Sequence, residues 1–366
     1  MAPDDVAGRR SGTRRSGFRV VNVVERQGLL ILLLLLILFF ALDPTSSGSF
    51  NTQASADNIL ANQSVTGIIA LAMIVPLTCG YFDLSVAAIT GVTNVAMAAA
   101  IGPHGLPVWL GILIALVIGL AVGCVNAYLV AVLRLDGFIV TLGTYILLGG
   151  LLEWYTTAPI VNGIPLSLGA WGSLNWLGLP RPLWWLLAVA VIVWYVLMHT
   201  KFGVELEAIG SNARAARLVG IRVQRSIFTA FIASSLLAGI AGVLLTIRNG
   251  NGDPQAGPSF LFGALAAVFL GATTIRPGRY NVWGAMIGVF VVAVAVNGFT
   301  LLGAATWLTP VFNGLALVAA VTISTLMGRR RLAVRTAAAP GTAPPDHARS
   351  PDETQPVSSG GGTNPE

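Results

Sequence analysis

The chain has 366 residues, of which 55% are hydrophobic and 10% are charged, and its formal net charge is +6. Soluble domains carry roughly 25% charged residues, so this composition excludes a single water-soluble core. The apolar residues fall in blocks of about 17–25, the length that crosses a bilayer. A positive charge also suits nucleic acid, but its distribution along this chain favours membrane orientation and argues against a nucleic-acid partner.

The apolar blocks predict an all-α polytopic membrane protein of about ten transmembrane helices. Residues 1–28 form a basic segment before the first block, and residues 29–328 contain all the blocks. Residues 329–366 are predicted to be a disordered tail, since the stretch is rich in Pro, Gly, Ser and Thr. The predicted helices are Leu29–Leu42, Ile59–Thr78, Leu84–Ile101, Val108–Val132, Phe138–Thr157, Leu183–Met198, Ile227–Ile247, Phe260–Thr274, Asn281–Leu302 and Trp307–Met327.

The basic residues predict the orientation. With ten spans and a cytoplasmic N-terminus, all but Arg181 and Arg248 of the 21 Lys and Arg residues fall on the cytoplasmic side. Lys and Arg favour that side of a membrane. One span more or fewer early in the chain would place the cluster from Lys201 to Arg225 outside. Both termini are therefore predicted to be cytoplasmic.

A hydrophilic segment, residues 199–226, separates two of the predicted spans and contains the only lysine. Its centre reads Gly210-Ser-Asn-Ala-Arg-Ala-Ala-Arg-Leu-Val-Gly220. Ser211 or Asn212 can cap a short helix there, and Gly220 can end it. A helix of about seven residues is marginal alone in water, so it needs a partner surface. From the residues alone, a solvated positive loop and a docking helix both remain open.

Motifs of catalytic chemistry are absent from the sequence. It contains no GxxxxGK[ST] phosphate loop and no GxSxG nucleophile elbow, and its three histidines are far apart. We therefore expect no catalytic residue, no metal site and no cofactor bound by this chain. Acidic residues are also scarce within the predicted spans, which leaves few groups for ion coupling.

Small and polar residues in the spans give further candidates. Asp83 and Ser85 lie at a predicted helix break, where they can cap the following helix or belong to a gate, and both interpretations stay open. Two GxxxG patterns, Gly119 to Gly123 and Gly284 to Gly288, fit close helix packing. They suit either packing inside one bundle or a contact with a second copy.

Several motifs in order carry a resemblance to a known family. They are Gly80-Tyr-Phe-Asp83-Leu-Ser85-Val86, Phe138-Ile-Val-Thr141-Leu-Gly143-Thr144, Ala208-Ile-Gly210-Ser-Asn212, Ala266-Ala-Val-Phe-Leu-Gly271 and Asn297-Gly298. The chain resembles the membrane permease subunits of ribose- and xylose-type ABC sugar importers, within the branched-chain amino acid and ribose permease superfamily. The resemblance covers about Ile59 to Met327.

The resemblance implies a transport subunit of a bacterial plasma membrane, without an ATPase site of its own. It implies partners: a second copy of the chain, an ABC ATP-binding subunit that holds ATP and Mg, and an extracytoplasmic solute-binding protein that delivers a small sugar. The ATPase-docking residues implied are Gly210, Asn212, Arg214, Ala215, Ala216, Arg217 and Gly220. The candidates for the pathway or gate are Asp83, Ser85, Thr141, Thr144 and Asn297.

The sequence departs from the family pattern in places that leave the cargo open. Tyr81 and Ala87 replace two glycines of the motif around Asp83. No acid stands at Phe260-Leu-Phe262, where the family often has Glu-Leu-Asp. An amino acid, a nucleoside or a signalling sugar remains an alternative cargo. A secondary transporter is a further alternative, which the scarcity of intramembrane acids disfavours.

Overall fold

The computed structural model describes residues 13–156 and 160–338, and the side chains of residues 27–156 and 160–323. The described residues are almost entirely helical. The helices are α1 Thr13–Leu42, α2 Ser47–Phe50, α3 Gln53–Thr78, α4 Ser85–Ile101, α5 Val108–Ala127, α6 Gly137–Tyr155, α7 Leu166–Ser173, α8 Arg181–His199, α9 Lys201–Leu218, α10 Val223–Asn249, α11 Ala256–Gly271, α12 Val282–Leu301 and α13 Leu308–Ala338. A π-helix, Tyr128–Val132, continues α5, and the strands β1 Asn175–Trp176 and β2 Leu179–Pro180 form a small antiparallel hairpin.

Six helices in the described part of the chain are long and apolar enough to cross a membrane, judged by length and composition. They are α3, α5 with its π-helix, α6, α8, α10 and α12. Four shorter apolar helices, Gln27–Leu42, Ser85–Ile101, Ala256–Gly271 and Leu308–Ile323, overlap the other predicted spans. The all-α prediction is confirmed. That these four also cross the membrane stays a prediction.

The core of the bundle is built around α3 and α10. Every residue of α3 from Ser64 to Leu77 is buried, so this part of the helix is enclosed on all sides. In α3 the most apolar stretch is 72% buried, whereas in α5 and in α6 it is 22% buried. Helix α10 packs against α3, α4 and α5, and α11 packs against α12. The outward faces of α5 and α6 therefore suit contact with lipid.

The first and last helices extend beyond the predicted spans. Helix α1 begins at Thr13, inside the predicted basic segment, and α13 continues to Ala338, inside the predicted tail. No proline interrupts either extension, and proline is the residue that most strongly breaks a helix. Residues 1–12 and 339–366 lie outside the described residues, as does the greater part of the predicted tail.

Candidate functional site

The chain breaks between α3 and α4, and this break places Asp83 in the interior. Gly80 adopts a left-handed conformation, with φ at 88°, that glycine reaches at little cost. Asp83 is only 3% exposed. Its carboxylate accepts a hydrogen bond from the backbone amide of Ser85 at 3.1 Å and another from the Ser85 hydroxyl. Asp83 therefore accepts the first backbone amide of α4, which fits the cap interpretation, and its role in a gate stays a prediction.

Three further side chains, two of them fully buried, complete a hydrogen-bonded chain around Asp83. The Ser234 hydroxyl of α10 donates to the Asp83 carboxylate at 2.9 Å. The Asn126 amide of α5 donates to the Ser85 hydroxyl at 2.9 Å, and the Thr144 hydroxyl of α6 donates to the Asn126 carbonyl oxygen at 2.7 Å. We call Asp83, Ser85, Asn126, Thr144 and Ser234 the polar junction. It ties the break to α5, α6 and α10.

The two remaining pathway candidates, Thr141 and Asn297, lie in different parts of the bundle. Thr141 is buried beside the polar junction, where its hydroxyl accepts from the Leu84 amide at 3.2 Å and donates to the Gly137 carbonyl at 2.8 Å. Asn297 lies on α12, and its amide donates to the Ser55 hydroxyl at 3.3 Å. The structure thus brings Thr141 to the other candidates and places Asn297 elsewhere.

Burial and hydrogen bonding act on the Asp83 carboxyl in opposite directions. Burial raises the pKa of Asp83 above its ordinary value, and the hydrogen bonds from Ser85 and Ser234 oppose this rise. The carboxyl forms no ion pair with the side chains that the structure describes. A carboxyl with these hydrogen bonds can hold the break in place without a cationic partner.

The hydrophilic segment 199–226 folds as α9, which is interrupted at one residue. Asn212 has extended backbone angles, φ −159° and ψ 99°. Its side-chain oxygen accepts from the amides of Arg214 and Ala215, both at 3.0 Å, so Asn212 caps a second, short helix. Gly220, with φ at 86°, follows the end of that helix. We call residues 213–218 the short helix.

The short helix presents a mixed basic and apolar surface. Ala216 is buried at 3% exposure, while Arg214, Ala215 and Arg217 are exposed. Leu218 is 89% exposed and Val219 is 77% exposed. Sequence reasoning missed these two residues. They follow Ala215 by three and four positions, a spacing that places apolar residues on one face of a helix and could have predicted this surface.

The first part of α9 lies directly on the end of α3. A Cβ atom at Gly210 would clash with the carbonyl oxygen of Thr78, so only glycine permits this approach. Thr78 immediately precedes the break that contains Asp83. The part of α9 that leads into the short helix therefore touches the end of α3, which leads into the break at Asp83. Beside it, a cavity of about 360 Å³ is lined in part by Gly210, Arg276 and Arg279.

Both GxxxG patterns pack inside the chain. Gly123 of α5 lies against the Ser235 side chain of α10, and Gly288 of α12 lies against the Ala267 backbone of α11. Their partners Gly119 and Gly284 contact the same two neighbouring helices. These glycines account for the close approach of α5 to α10 and of α12 to α11.

Comparison with known proteins identifies the family. The family model described as a branched-chain amino acid transport system permease component matches residues 55–321. The chain is 31% identical over 327 residues to the ribose import permease protein RbsC of Escherichia coli, covering 88% of this chain and 98% of that protein. The chain belongs to this permease family. The permease is also 33% identical over 266 residues to the ribose import permease of Bacillus subtilis, covering 72% of this chain and 82% of that protein.

A relative named for another sugar matches over a similar length. The permease is 30% identical over 311 residues to the L-arabinose transport system permease protein AraH of Escherichia coli, covering 85% of this chain and 94% of that protein. These matches confirm the resemblance drawn from the motifs. With its six candidate spans, the permease is a multi-pass membrane protein and a transport subunit. Its described residues contain no cluster of His, Cys, Asp and Glu that could hold a metal ion.

Proposed function

We propose that the chain is the transmembrane permease subunit of an ATP-driven ABC importer, and that it forms the pathway for a simple sugar across a bacterial cytoplasmic membrane. The observation that carries this proposal is the alignment over 98% of a ribose import permease. The similarity to an arabinose permease supports a sugar rather than one particular pentose.

The proposed arrangement has ten spans with both termini in the cytoplasm. The six longer and four shorter apolar helices supply these spans. In this orientation the segment 199–226 faces the cytoplasm, and so do the loops that contain Arg134, Arg276 and Arg279, in accord with the positive-inside rule. Residues 29–328 then form the permease domain, and residues 1–28 and the tail 329–366 are cytoplasmic.

The proposed partners follow from the family to which the chain belongs and from its similarity to import permeases. A separate ABC ATP-binding subunit binds ATP and Mg and docks on the short helix and the residues beside it. The docking residues are Gly210, Asn212, Arg214, Ala215, Ala216, Arg217 and Gly220. An extracytoplasmic solute-binding protein delivers the sugar. A second copy of the chain completes the pathway as a homodimer. The permease itself supplies geometry and no catalytic group.

The backbone contact between Gly210 and Thr78 gives this arrangement a physical route. When the ATP-binding subunits close, they move the docked short helix. Because Gly210 lies against the Thr78 carbonyl, that movement reaches the end of α3 and the break that holds Asp83. The polar junction connects this break to three other helices. A displacement of a few ångströms at α9 thus biases the whole bundle between two arrangements.

A transport assay tests the function. The permease is reconstituted with its ATP-binding subunit and binding protein, and uptake of labelled ribose, arabinose, xylose and leucine is measured. The proposal predicts uptake of at least one sugar that stops on ATP depletion and persists when an uncoupler removes the proton gradient. Uptake that stops with the uncoupler alone would identify a secondary transporter. Uptake of leucine without sugar would correct the cargo.

A further inference from the structure

A second cavity, of about 350 Å³, lies on the face of the bundle that carries segment 199–226, and arginines line it. Its lining contains Arg134, Arg217, Arg222 and Arg225, together with Val223 and Gln224. No carboxylate contributes to this lining. We call it the arginine pocket. The elements that form it are the connection between the π-helix and α6, the short helix and the start of α10.

The arginines of this pocket have no ionic partner within the described side chains. The one ion pair found among those residues joins Arg279 to Glu207, in the other cavity. Two carboxylates close in sequence to pocket residues or bonded beside them accept hydrogen bonds from other groups. Asp136 accepts from the Ile139 amide at 3.1 Å, and Glu205 accepts from the Ser226 hydroxyl at 2.7 Å. Four cations that share one cavity repel one another, so an anion bound there would be stabilised by all of them.

Arg134, which lines the arginine pocket, has an unfavourable backbone conformation. Arg134 has φ at 59°, in the left-handed region that residues with a Cβ rarely occupy. It follows a π-helix, an element that is rare and often found at functional sites. A glycine at this position would relieve the strain but would remove a guanidinium group from the pocket. This local irregularity is independent of the charge cluster and points to the same site.

The neighbours of Arg134 are apolar and exposed. Leu133 is 50% exposed and Leu135 is 47% exposed, and Phe138 at the start of α6 is 48% exposed. Side chains of this kind are stable at a membrane interface and unfavourable in water. A ligand that suits both features has an anionic head for the arginines and apolar chains for the leucines and the phenylalanine.

We propose that the arginine pocket binds the headgroup phosphate of an anionic phospholipid in the adjacent leaflet. Basic pockets between transmembrane helices are suited to such headgroups, because guanidinium groups bind phosphate oxygens through paired hydrogen bonds. The acyl chains then lie along the exposed apolar residues around Arg134. This inference depends on the chain being embedded in a membrane and not on which solute it transports.

Lipid enrichment around the purified permease tests the proposal. The full chain is reconstituted without partner subunits in nanodiscs of phosphatidylcholine and phosphatidylglycerol, and the lipid retained after gentle delipidation is quantified by mass spectrometry. We expect the wild type to retain phosphatidylglycerol in preference to phosphatidylcholine. The double variant Arg134→Gln/Arg225→Gln should weaken phosphatidylglycerol binding about 25-fold, since each arginine near the surface contributes about fivefold. Arg217 is left unchanged because it belongs to the short helix.

A matched control removes the same charge elsewhere. Arg276 and Arg279 line the other cavity, so Arg276→Gln/Arg279→Gln lowers the net charge equally without touching the arginine pocket. This control should retain phosphatidylglycerol as the wild type does. Equal losses of phosphatidylglycerol from both double variants would show that net charge alone determines lipid retention, and would overturn the proposal.

The ATP-binding subunit is the rival occupant of the arginine pocket. If Arg134→Gln/Arg225→Gln retains phosphatidylglycerol fully but no longer co-purifies with that subunit, the pocket belongs to the protein interface and the lipid proposal is wrong. Failure of sugar uptake in the reconstituted importer would overturn the proposed function and leave the lipid measurement unaffected, so the two outcomes are distinguishable.

Discussion

The polar junction and the hydrophilic segment 199–226 differ in whether their charged side chains find partners within the chain. Asp83 is buried, and its partners Ser85 and Ser234 belong to the same chain. The arginines of the segment are exposed, and they form no ion pair with the described side chains. Interactions completed inside the chain stabilise the fold. Interactions left open at its surface are available to partners.

This contrast predicts where substitutions act. A change at the polar junction should lower the stability of the permease, because it leaves buried polar groups unpaired. A change at the short helix should leave stability nearly unaltered and should lower coupling to the ATP-binding subunit. Variants of the polar junction should therefore lose stability, and variants of the short helix should lose coupling.

The largest expected effect is on coupling. Arg217→Glu reverses one charge on the exposed face of the short helix, and reversal of a charge at a protein interface weakens binding by roughly 100-fold. We expect sugar uptake to fall to background while the thermal unfolding temperature stays near that of the wild type. Arg276→Glu, an exposed arginine outside the short helix, is the control and should transport. Full sugar-stimulated ATPase activity in Arg217→Glu would count against the docking role.

The next effect is on stability at the polar junction. Asp83→Ala leaves the hydroxyl groups of Ser85 and Ser234 without their acceptor and should cost about 3 kcal/mol. Asp83→Asn keeps one acceptor oxygen and the side-chain volume, so it should cost about 1 kcal/mol. Thermal unfolding of the detergent-solubilised permease measures both. Equal unfolding temperatures for the two variants would show that the hydrogen bonds to Asp83 contribute little.

The contact between the two regions should also be sensitive. Gly210→Ala places a methyl group against the Thr78 carbonyl and should cost about 1–3 kcal/mol, the usual range for overpacking. Gly149→Ala on α6 is the matched control, since nothing lies within 4 Å of a Cβ atom there. Uptake and unfolding are measured for both. A fully active and stable Gly210→Ala would argue against transmission through α3.

The smallest expected effect is a difference in stability between variants of two adjacent, fully buried serines of α10. Ser234 donates to Asp83, so Ser234→Ala should cost about 1–2 kcal/mol. The hydroxyl of Ser235 has no hydrogen-bond partner, so Ser235→Ala should be neutral or should stabilise by up to about 1 kcal/mol. Calorimetry of the two variants decides the matter. Destabilisation by Ser235→Ala as large as by Ser234→Ala would contradict the assignment.

Much of the fold follows from the sequence because apolar length and helix breaks are local signals. The predicted span Val108–Val132 coincides with α5 and its π-helix. Of the two cap candidates, Ser211 and Asn212, the structure shows Asn212 in that position, and Gly220 follows the end of the short helix as predicted. The helical residues 13–28 and 329–338 lie outside the predicted spans, because their basic and polar composition contains no continuous apolar run.

The candidate site was predictable only in part. Asp83, Ser85, Thr141 and Thr144 stood in motifs, and the structure brings them together. Asn126 and Ser234 stood in no motif, and they join the polar junction because α5 and α10 pack beside the break. Which distant residues meet depends on tertiary packing, which no local pattern in the sequence encodes. Asn297 shows the same limit, because a polar residue in a span need not reach the common site.

The most direct test of the account is the side of the membrane on which the short helix lies and whether the ATP-binding subunit covers it. A single cysteine is introduced by Ser211→Cys in a chain that carries Cys124→Ser, which removes the exposed native cysteine, while the buried Cys79 is kept. A membrane-impermeant maleimide is applied to vesicles of each orientation. The account predicts labelling in inside-out vesicles and protection when the ATP-binding subunit is added. Labelling from the external side, or labelling that the subunit does not reduce, would contradict it.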